Sequence, residues 1–302
     1  MVIEKRREIL FVYSVRDANP NGDPLNANHP RYDAESGQIL VSDVRIKRTL
    51  RDQWLREGLP VFIDGEAKTL KSRIEELKKE FGVETGKDAL KRCLDARVFG
   101  VTYALDKESF SWIGPVQFKW GRSLHQAKAE LVQGTAAFAS KDNSEQRSFR
   151  NEYIVPFVLI GAYGIVNQFA AKETGATEDD ANKISEGLWQ GTVNLITRSK
   201  VGHVPRMLLE VTYKPDFTGA AGALDEKLRL VSLDGNELTT EEQLTIRKPQ
   251  DCLLDANKIG ARLTQLRENI ATIKIWLDGE LSVKGLDELQ KTLGEKLSLQ
   301  TR

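Results

Sequence analysis

The longest uncharged, mostly apolar run in the chain, YIVPFVLIGAYGIVN at 153–167, restricts the fold more than any other segment. It is too short to cross a bilayer as a helix, which takes about 20 residues, and its β-branched and aromatic content reads as a buried strand. A buried strand needs partners. EILFVYSV (8–15) and HVPRMLLEVTYK (203–214) have the same character, and RVFGVTY (97–103) and FSWIGPVQFKW (110–120) read as further strands. Two helices punctuate them. The first is SDVRIKRTLRDQWLREG (42–58), which Ser42 or Asp43 can cap and Gly58 can end. Val44, Ile46, Leu50, Trp54 and Leu55 mark its expected buried side, and a second helix covers about 177–196.

Without its insertions the order is strand, helix, strand or strands, helix, strand. That is the split βαβ plan of an α+β, ferredoxin-like or RRM-like domain. The insertion after the first helix carries EAKTLKSRIEELKKEF (66–81), expected to be a charged surface helix. From Gly121 to Glu152 the chain turns polar and reads as an exposed hairpin or excursion. Helical patterns are expected near 255–277 and 284–297. The plan serves many functions, so it decides none of them.

Composition narrows the classes. With 302 residues and 40% hydrophobic content the chain can bury a full core. The opening MVIEKRRE has no signal-peptide core, and Cys93 and Cys252 lack metal-ligand spacing. Both point to a cytoplasmic protein with ordinary buried thiols, no membrane association and no cofactor. The 44 basic and 44 acidic residues cancel, so the distribution of charge matters rather than its sum. Acid collects in TEDDANKISE (177–186) and LDGNELTTEE (233–242); base collects in DVRIKRTLRDQWLR (43–56).

The stretch RDANPNGDPLNANHPRYD (16–33) crowds Asp17, Asn19, Asn21, Asp23, Asn26 and Asn28 among three prolines. The spacing Asp17-x-Asn19-x-Asn21-Gly22, then Asn28, follows a calcium loop, but the last position requires a bidentate Glu and a strand precedes it instead of a helix. A plain turn explains its conformation, since Asn and Gly tolerate positive φ. The three histidines are His29, His125 and His203. A metal-independent ribonuclease would need one of them as a general base, and His29 near Tyr32 could be cast in that role. The glycines of GAYGIVN (161–167) serve packing more readily than phosphate binding. No metal cluster and no catalytic residue is assigned.

The basic helix is the stronger signal. On a helical wheel Arg45 and Arg48 share one side with Asp52, while Lys47 and Arg51 share the adjacent one. Either this is a solvated face, or it is a cradle for phosphates beside an amide-rich loop. TRSKVGHVPR (197–206) adds Arg198, Lys200, His203 and Arg206 between the second helix and the last strand. In a split βαβ fold both helices lie on one sheet face, so the two basic groups can meet.

NPNGDPLNANHPRYDAESGQILVSDVRIKRTLRD (19–52) resembles the opening signature of the CRISPR-associated DevR-like family, the backbone subunit of type I Cascade surveillance complexes, closest to subtype I-B. ARVFG (96–100), GPVQF (114–118), WGRSLH (120–125) and RSKVGHVPRMLLEV (198–211) support the likeness. It runs over 1–214. The resemblance implies a ferredoxin-like palm with finger-like insertions and a thumb hairpin. The palm would occupy 1–57 and 152–214, the insertion with central strands 58–120, and the thumb 121–151, followed by a C-terminal helical region, 215–302. It also implies a non-catalytic subunit whose copies polymerise head to tail along CRISPR RNA and leave its bases to pair with target DNA, beside other Cascade subunits. Ser42, Arg45, Lys47 and Arg48 match the palm-helix start that contacts phosphates, and Asn19 and Asn21 lie in the first palm loop. Arg51, Arg122, Arg198, Lys200 and His203 complete the expected RNA-binding set.

Overall fold

A computed structural model of the chain describes residues 1–66, 68–105, 108–135 and 149–302. The chain begins with β1 (Arg7–Ala18), β2 (Tyr32–Asp33), β3 (Gln38–Val41) and α1 (Asp43–Arg56). The insertion follows as α2 (Leu70–Phe81), α3 (Gly86–Arg92), α4 (Leu94–Phe99), β4 (Gly100–Leu105) and β5 (Glu108–Ile113). The chain returns through β6 (Val116–Phe118), β7 (Gly121–Ser123), β8 (Glu130–Thr135), β9 (Phe149–Val166), α5 (Gln168–Thr174), α6 (Glu178–Val193) and β10 (His203–Tyr213). The C-terminal part holds β11 (Arg229–Val231), α7 (Thr240–Thr245), β12 (Leu253–Asp255), α8 (Asn257–Gln265), β13 (Ile270–Leu277), β14 (Val283–Lys284), α9 (Leu286–Leu293) and β15 (Leu297–Thr301).

The chain is a mixed α and β protein. Among the described residues one large sheet runs β15-β13-β10-β1-β9-β7-β3-β2, with β6 and β8 also paired to β9. β1 lies antiparallel between β10 and β9 along nearly its whole length, which makes it the central strand. Its alternation sorts the core. Ile9, Phe11, Tyr13 and Val15 pack with α1 and α6 on one sheet face. Leu10 and Val12 pack with α8, α9 and their neighbours on the other. Two glycines set the α1–α6 spacing: a Cβ at Gly187 would stand 2.7 Å from Leu50, and one at Gly191 2.8 Å from the Thr49 carbonyl. The insertion buries its own cluster around Ile74, Leu77, Leu90 and Trp112.

Several expectations change. Along α1 the buried set is Ile46, Thr49, Leu50, Arg51, Gln53 and Trp54, while Val44 is 65% exposed and Leu55 36%. The stripe steps by three and four from Ile46, and Val44 and Leu55 fall off it. ARVF belongs to helix α4, not to a strand, and β4 starts at Gly100. There the chain turns so tightly against Gly114 that a Cβ on Gly100 would meet the Trp112 carbonyl at 2.3 Å. Helix 66–81 starts later, at Leu70, with the Thr69 side chain capping it, and ends at Phe81 before Gly82 in the left-handed region. The expected second helix is α6, capped by Thr177 and ending at Val193, and a short helix not expected, α5, precedes it and ends at Gly175.

The pattern near 255–277 is a short helix followed by strand β13, and Leu297–Thr301 is strand β15. The C-terminal part is therefore not purely helical: β13 and β15 extend the large sheet beyond β10. Residues 121–123 also lie in this sheet, paired to β3 and β9, so the described part of the hairpin starts at β8. The centre of the expected thumb, 136–148, lies outside the described residues.

Candidate nucleic-acid interface

The loop after β1 folds over the start of α1. Asp23 builds its turn, accepting from the Leu25 N–H at 3.0 Å and the Asn26 amide at 2.6 Å. Its own N–H donates to the His29 carbonyl at 2.8 Å. These local bonds hold the Asp23 carboxyl below its ordinary pKa. Asn19 donates from its side chain to the Asn28 carbonyl at 3.2 Å and from its backbone to Ser199 at 3.0 Å. Asn21 Oδ1 accepts both the Ser42 N–H, at 2.8 Å, and the Ser42 hydroxyl, at 2.9 Å. Ser42 Oγ then accepts the Arg45 N–H as the helix N-cap. Of the side-chain oxygens that a calcium loop would aim inward, that of Asn21 is thus engaged by Ser42, while Asn19 Oδ1 is buried without a hydrogen-bond partner. His29 stacks on Tyr153 with ring centroids 3.4 Å apart.

Beside this clasp the two basic groups meet. Arg45, Tyr13, Pro20, Thr49 and His203 line one cleft at the edge of the α1–α6 layer. His203 stacks on Tyr13 at 5.9 Å, and its Nδ1 faces the Lys200 carbonyl at 2.7 Å. The Lys200 ammonium donates to the Asn19 carbonyl. Burial, with the Arg45 charge acting in the same direction, lowers Lys200 to a pKa of about 8. Burial also lowers His203, to about 3, with Lys200 adding to the effect. It keeps the imidazole neutral at physiological pH. The Arg45 guanidinium is likewise held below its ordinary value by burial, against the opposing pull of Asp52.

The partners divide the basic residues. Lys47 bonds to Asp43 at 3.2 Å and to Gln117 at 3.0 Å. Arg48 pairs with Asp52 and donates to the Asp64 carbonyl at 3.0 Å. Arg122 pairs with Asp33 at 3.0 Å and Arg198 with Glu152 at 3.5 Å. Arg206, beyond the cleft, pairs with Asp278. Arg51 turns inward and binds Asp95 at 2.7 Å, where Asp95 also accepts the N–H groups of Phe62 and Ile63. Its guanidinium faces the insertion, so Arg51 is a structural residue rather than a surface contact. Arg45 and Lys200 differ from all of these. Their recorded acceptors are neutral, the Thr49 hydroxyl at 2.9 Å and the Asn19 carbonyl, and neither forms an ion pair with a described carboxylate.

Of the expected set, then, the fold gathers Asn19, Asn21, Ser42, Arg45, Lys200 and His203 at one place. Lys47 and Arg48 border it on the far flanks of α1, and Arg122 and Arg198 stand outside. Tyr13 and Thr49 were missed. Their only signal was periodicity, which reads them as core. Among the described residues no group of His, Cys, Asp and Glu could hold a metal ion, and no helix is long and apolar enough to cross a membrane.

A mixed α and β fold whose Asn-bearing loop caps one helix beside two cations without carboxylate partners is the class of architecture that the known proteins below share. The family described as CRISPR-associated protein Cas7 matches residues 5–256, and the chain belongs to it. A curated relative, a CRISPR-associated protein Cas7 from Haloferax volcanii, is 28% identical, covering 95% of this chain and 91% of the relative. The fold is similar to a chain of a solved "CRISPR RNA-guided surveillance complex, pre-nicking", with TM-score 0.55, 14% identity and coverage of 95% of this chain and 99% of that one. A chain of a second "CRISPR RNA-guided surveillance complex" aligns with TM-score 0.52 at 15% identity, covering 93% of this chain and 94% of that one.

Proposed function

We propose that this chain is the non-catalytic, RNA-binding backbone subunit of a type I CRISPR Cascade complex, closest to subtype I-B. Its copies line up head to tail along CRISPR RNA in the cytoplasm, beside other Cascade subunits. The bases are left free to pair with target DNA. The observation that carries this reading is the pair of neighbouring cations, Arg45 and Lys200, near the start of α1 without carboxylate partners. A half-buried cation with no counter-charge is costly unless an anionic ligand completes it. Phosphates fit, because the neighbouring groups are amides, a hydroxyl and backbone, which bind a sugar–phosphate chain without reading its sequence.

The palm is best described as ferredoxin-like. The antiparallel order β10-β1-β9-β6, with α1 and α6 on one face, supports this description. Lys47 and Arg48 would have to leave Asp43 and Asp52 to reach a phosphate, so they rank behind Arg45 and Lys200. Arg122 and Arg198 rank behind them for the same reason. The zero net charge suits a protomer that also meets the next copy through complementary basic and acidic faces.

Mass measurement on a ladder of single-stranded RNAs tests the reading. The number of protomers bound should rise with RNA length, with the RNA left intact. A fixed stoichiometry at every length, or cleavage products that vanish in His29→Ala, would replace this reading with a processing ribonuclease.

A further inference from the structure

Trp120 is the one tryptophan of five that the fold leaves in the open. It is 46% exposed, whereas Trp54, Trp112, Trp189 and Trp276 are at most 6% exposed. It sits in the short break between β6 and β7, outside the ladder that buries its neighbours. It is not bare, however. The Arg31 guanidinium lies over the ring, 5.2 Å from its centroid, and Arg31 Nε is buried without a partner.

The register places this pair beside the cleft. Gly121, next to Trp120, is paired with Val41, the residue before Ser42. The Arg31 N–H donates to the Asn21 carbonyl at 2.9 Å, and the Asn21 side chain is the acceptor of Ser42. Ring and guanidinium are therefore each tied to the loop and strand that cover the start of α1. An open indole under a guanidinium, on the strand and loop that cover the start of α1, where Arg45 and Lys200 lack carboxylate partners, has the chemistry of a single-strand stacking platform. Every base has a π-face, so such a platform adds affinity without selecting sequence. The unpartnered Arg31 donor marks the place as incomplete in the isolated chain.

We propose that Trp120, braced by Arg31, stacks on one base of the single-stranded RNA held at the start of α1; the proposal rests on the RNA-binding reading above. The stacked base belongs to the nucleotide beside the one whose phosphate meets Arg45 and Lys200.

Because the other four tryptophans are buried, Trp120 supplies the red-shifted part of the intrinsic fluorescence of the full chain, and the difference between wild type and Trp120→Phe isolates it. The probes are a short single-stranded RNA and the same length of abasic ribose–phosphate, with affinity followed in parallel by anisotropy. The base-bearing RNA should quench the exposed component, and the abasic strand should bind about tenfold more weakly and quench nothing. Trp120→Phe should keep binding within about threefold and lose the quench, while Trp120→Ala should bind RNA about as weakly as the wild type binds the abasic strand. RNA that binds without quenching overturns the platform and leaves the RNA reading standing. Equal quenching by the abasic strand assigns the ring to a protein or phosphate contact and also overturns it. Absence of any RNA binding overturns both.

Discussion

The two flanks of α1 carry the same kind of side chain and serve different ends. On the cleft flank, Arg45 lines the cleft with Tyr13 and His203, Lys200 lies beside it, and both cations rest on neutral acceptors. On the insertion flank, Arg51 is only 8% exposed and faces Asp95, itself 1% exposed, which also accepts two backbone N–H groups. One flank leaves charge uncompensated where an anion can reach it. The other neutralises charge inside and fixes the segment after α1 to the main sheet layer, helped by the Arg97–Asp180 pair at 2.7 Å. A run of basic residues on one helix is thus two devices, and the carboxylates across from it decide which residue belongs to which.

The insertion flank should show the largest effect on stability. Asp95→Ala leaves Arg51 buried and unpaired and strips the N–H groups of Phe62 and Ile63, and it should cost about 3–5 kcal/mol in urea unfolding. The folded fraction should still bind RNA with wild-type affinity. A loss below about 1 kcal/mol would mean that the Arg51 pair is not a structural joint.

The cleft flank should respond to pH. With its pKa lowered to about 8, Lys200 loses the charge that a phosphate needs as pH rises through that value, so RNA affinity should fall there. Stability moves the opposite way. Between about 8 and the ordinary 10.5 the unfolded chain holds a proton that the folded chain lacks, so this group's contribution to stability increases as pH rises across that window. Titration of RNA binding from pH 7 to 9.5, repeated with Lys200→Met, checks both the fall and its source. His203 stays neutral, so His203→Asn should leave the profile between pH 5 and 7 unchanged. A step there that vanishes in the variant would contradict the assignment.

The loop over the cleft should show no response to calcium. Asn21 Oδ1 already accepts from Ser42, and Asp23 already closes its own turn. Millimolar calcium should therefore leave the melting temperature unchanged, since only a ligand of the folded state raises it. A rise of several degrees would return the loop to the metal reading.

How much of this was legible in the sequence follows from how local each signal is. β1 and α1 were readable because strand composition, the Ser42 cap and the spacing of Ile46, Leu50 and Trp54 all lie within one short segment. The meeting of 197–206 with 42–58 followed from the βαβ order, and Lys200 does face the Arg45 side. What failed was set by distant partners. Nothing near Arg51 announces Asp95, and nothing near Asn21 announces Ser42 as its donor. Strand β13 was hidden because IATIKIWL follows a helix directly, so one apolar stretch carries two periods. Trp120 passed unnoticed as a site because a lone tryptophan in an apolar segment reads as core.

The most direct test of the account is the salt dependence of RNA binding for Arg45→Gln with Lys200→Gln, beside Lys47→Gln with Arg48→Gln. Each cation that meets a phosphate contributes roughly 0.7 to the slope of log affinity against log salt on a single strand. The cleft pair should lower the slope by roughly 1.4 for every RNA sequence. The flank pair, held by Asp43 and Asp52, should lower it by less than half as much. Equal slopes for the wild type and the cleft variant, or a larger loss from the flank pair, would contradict the claim that the two unpartnered cations hold the RNA.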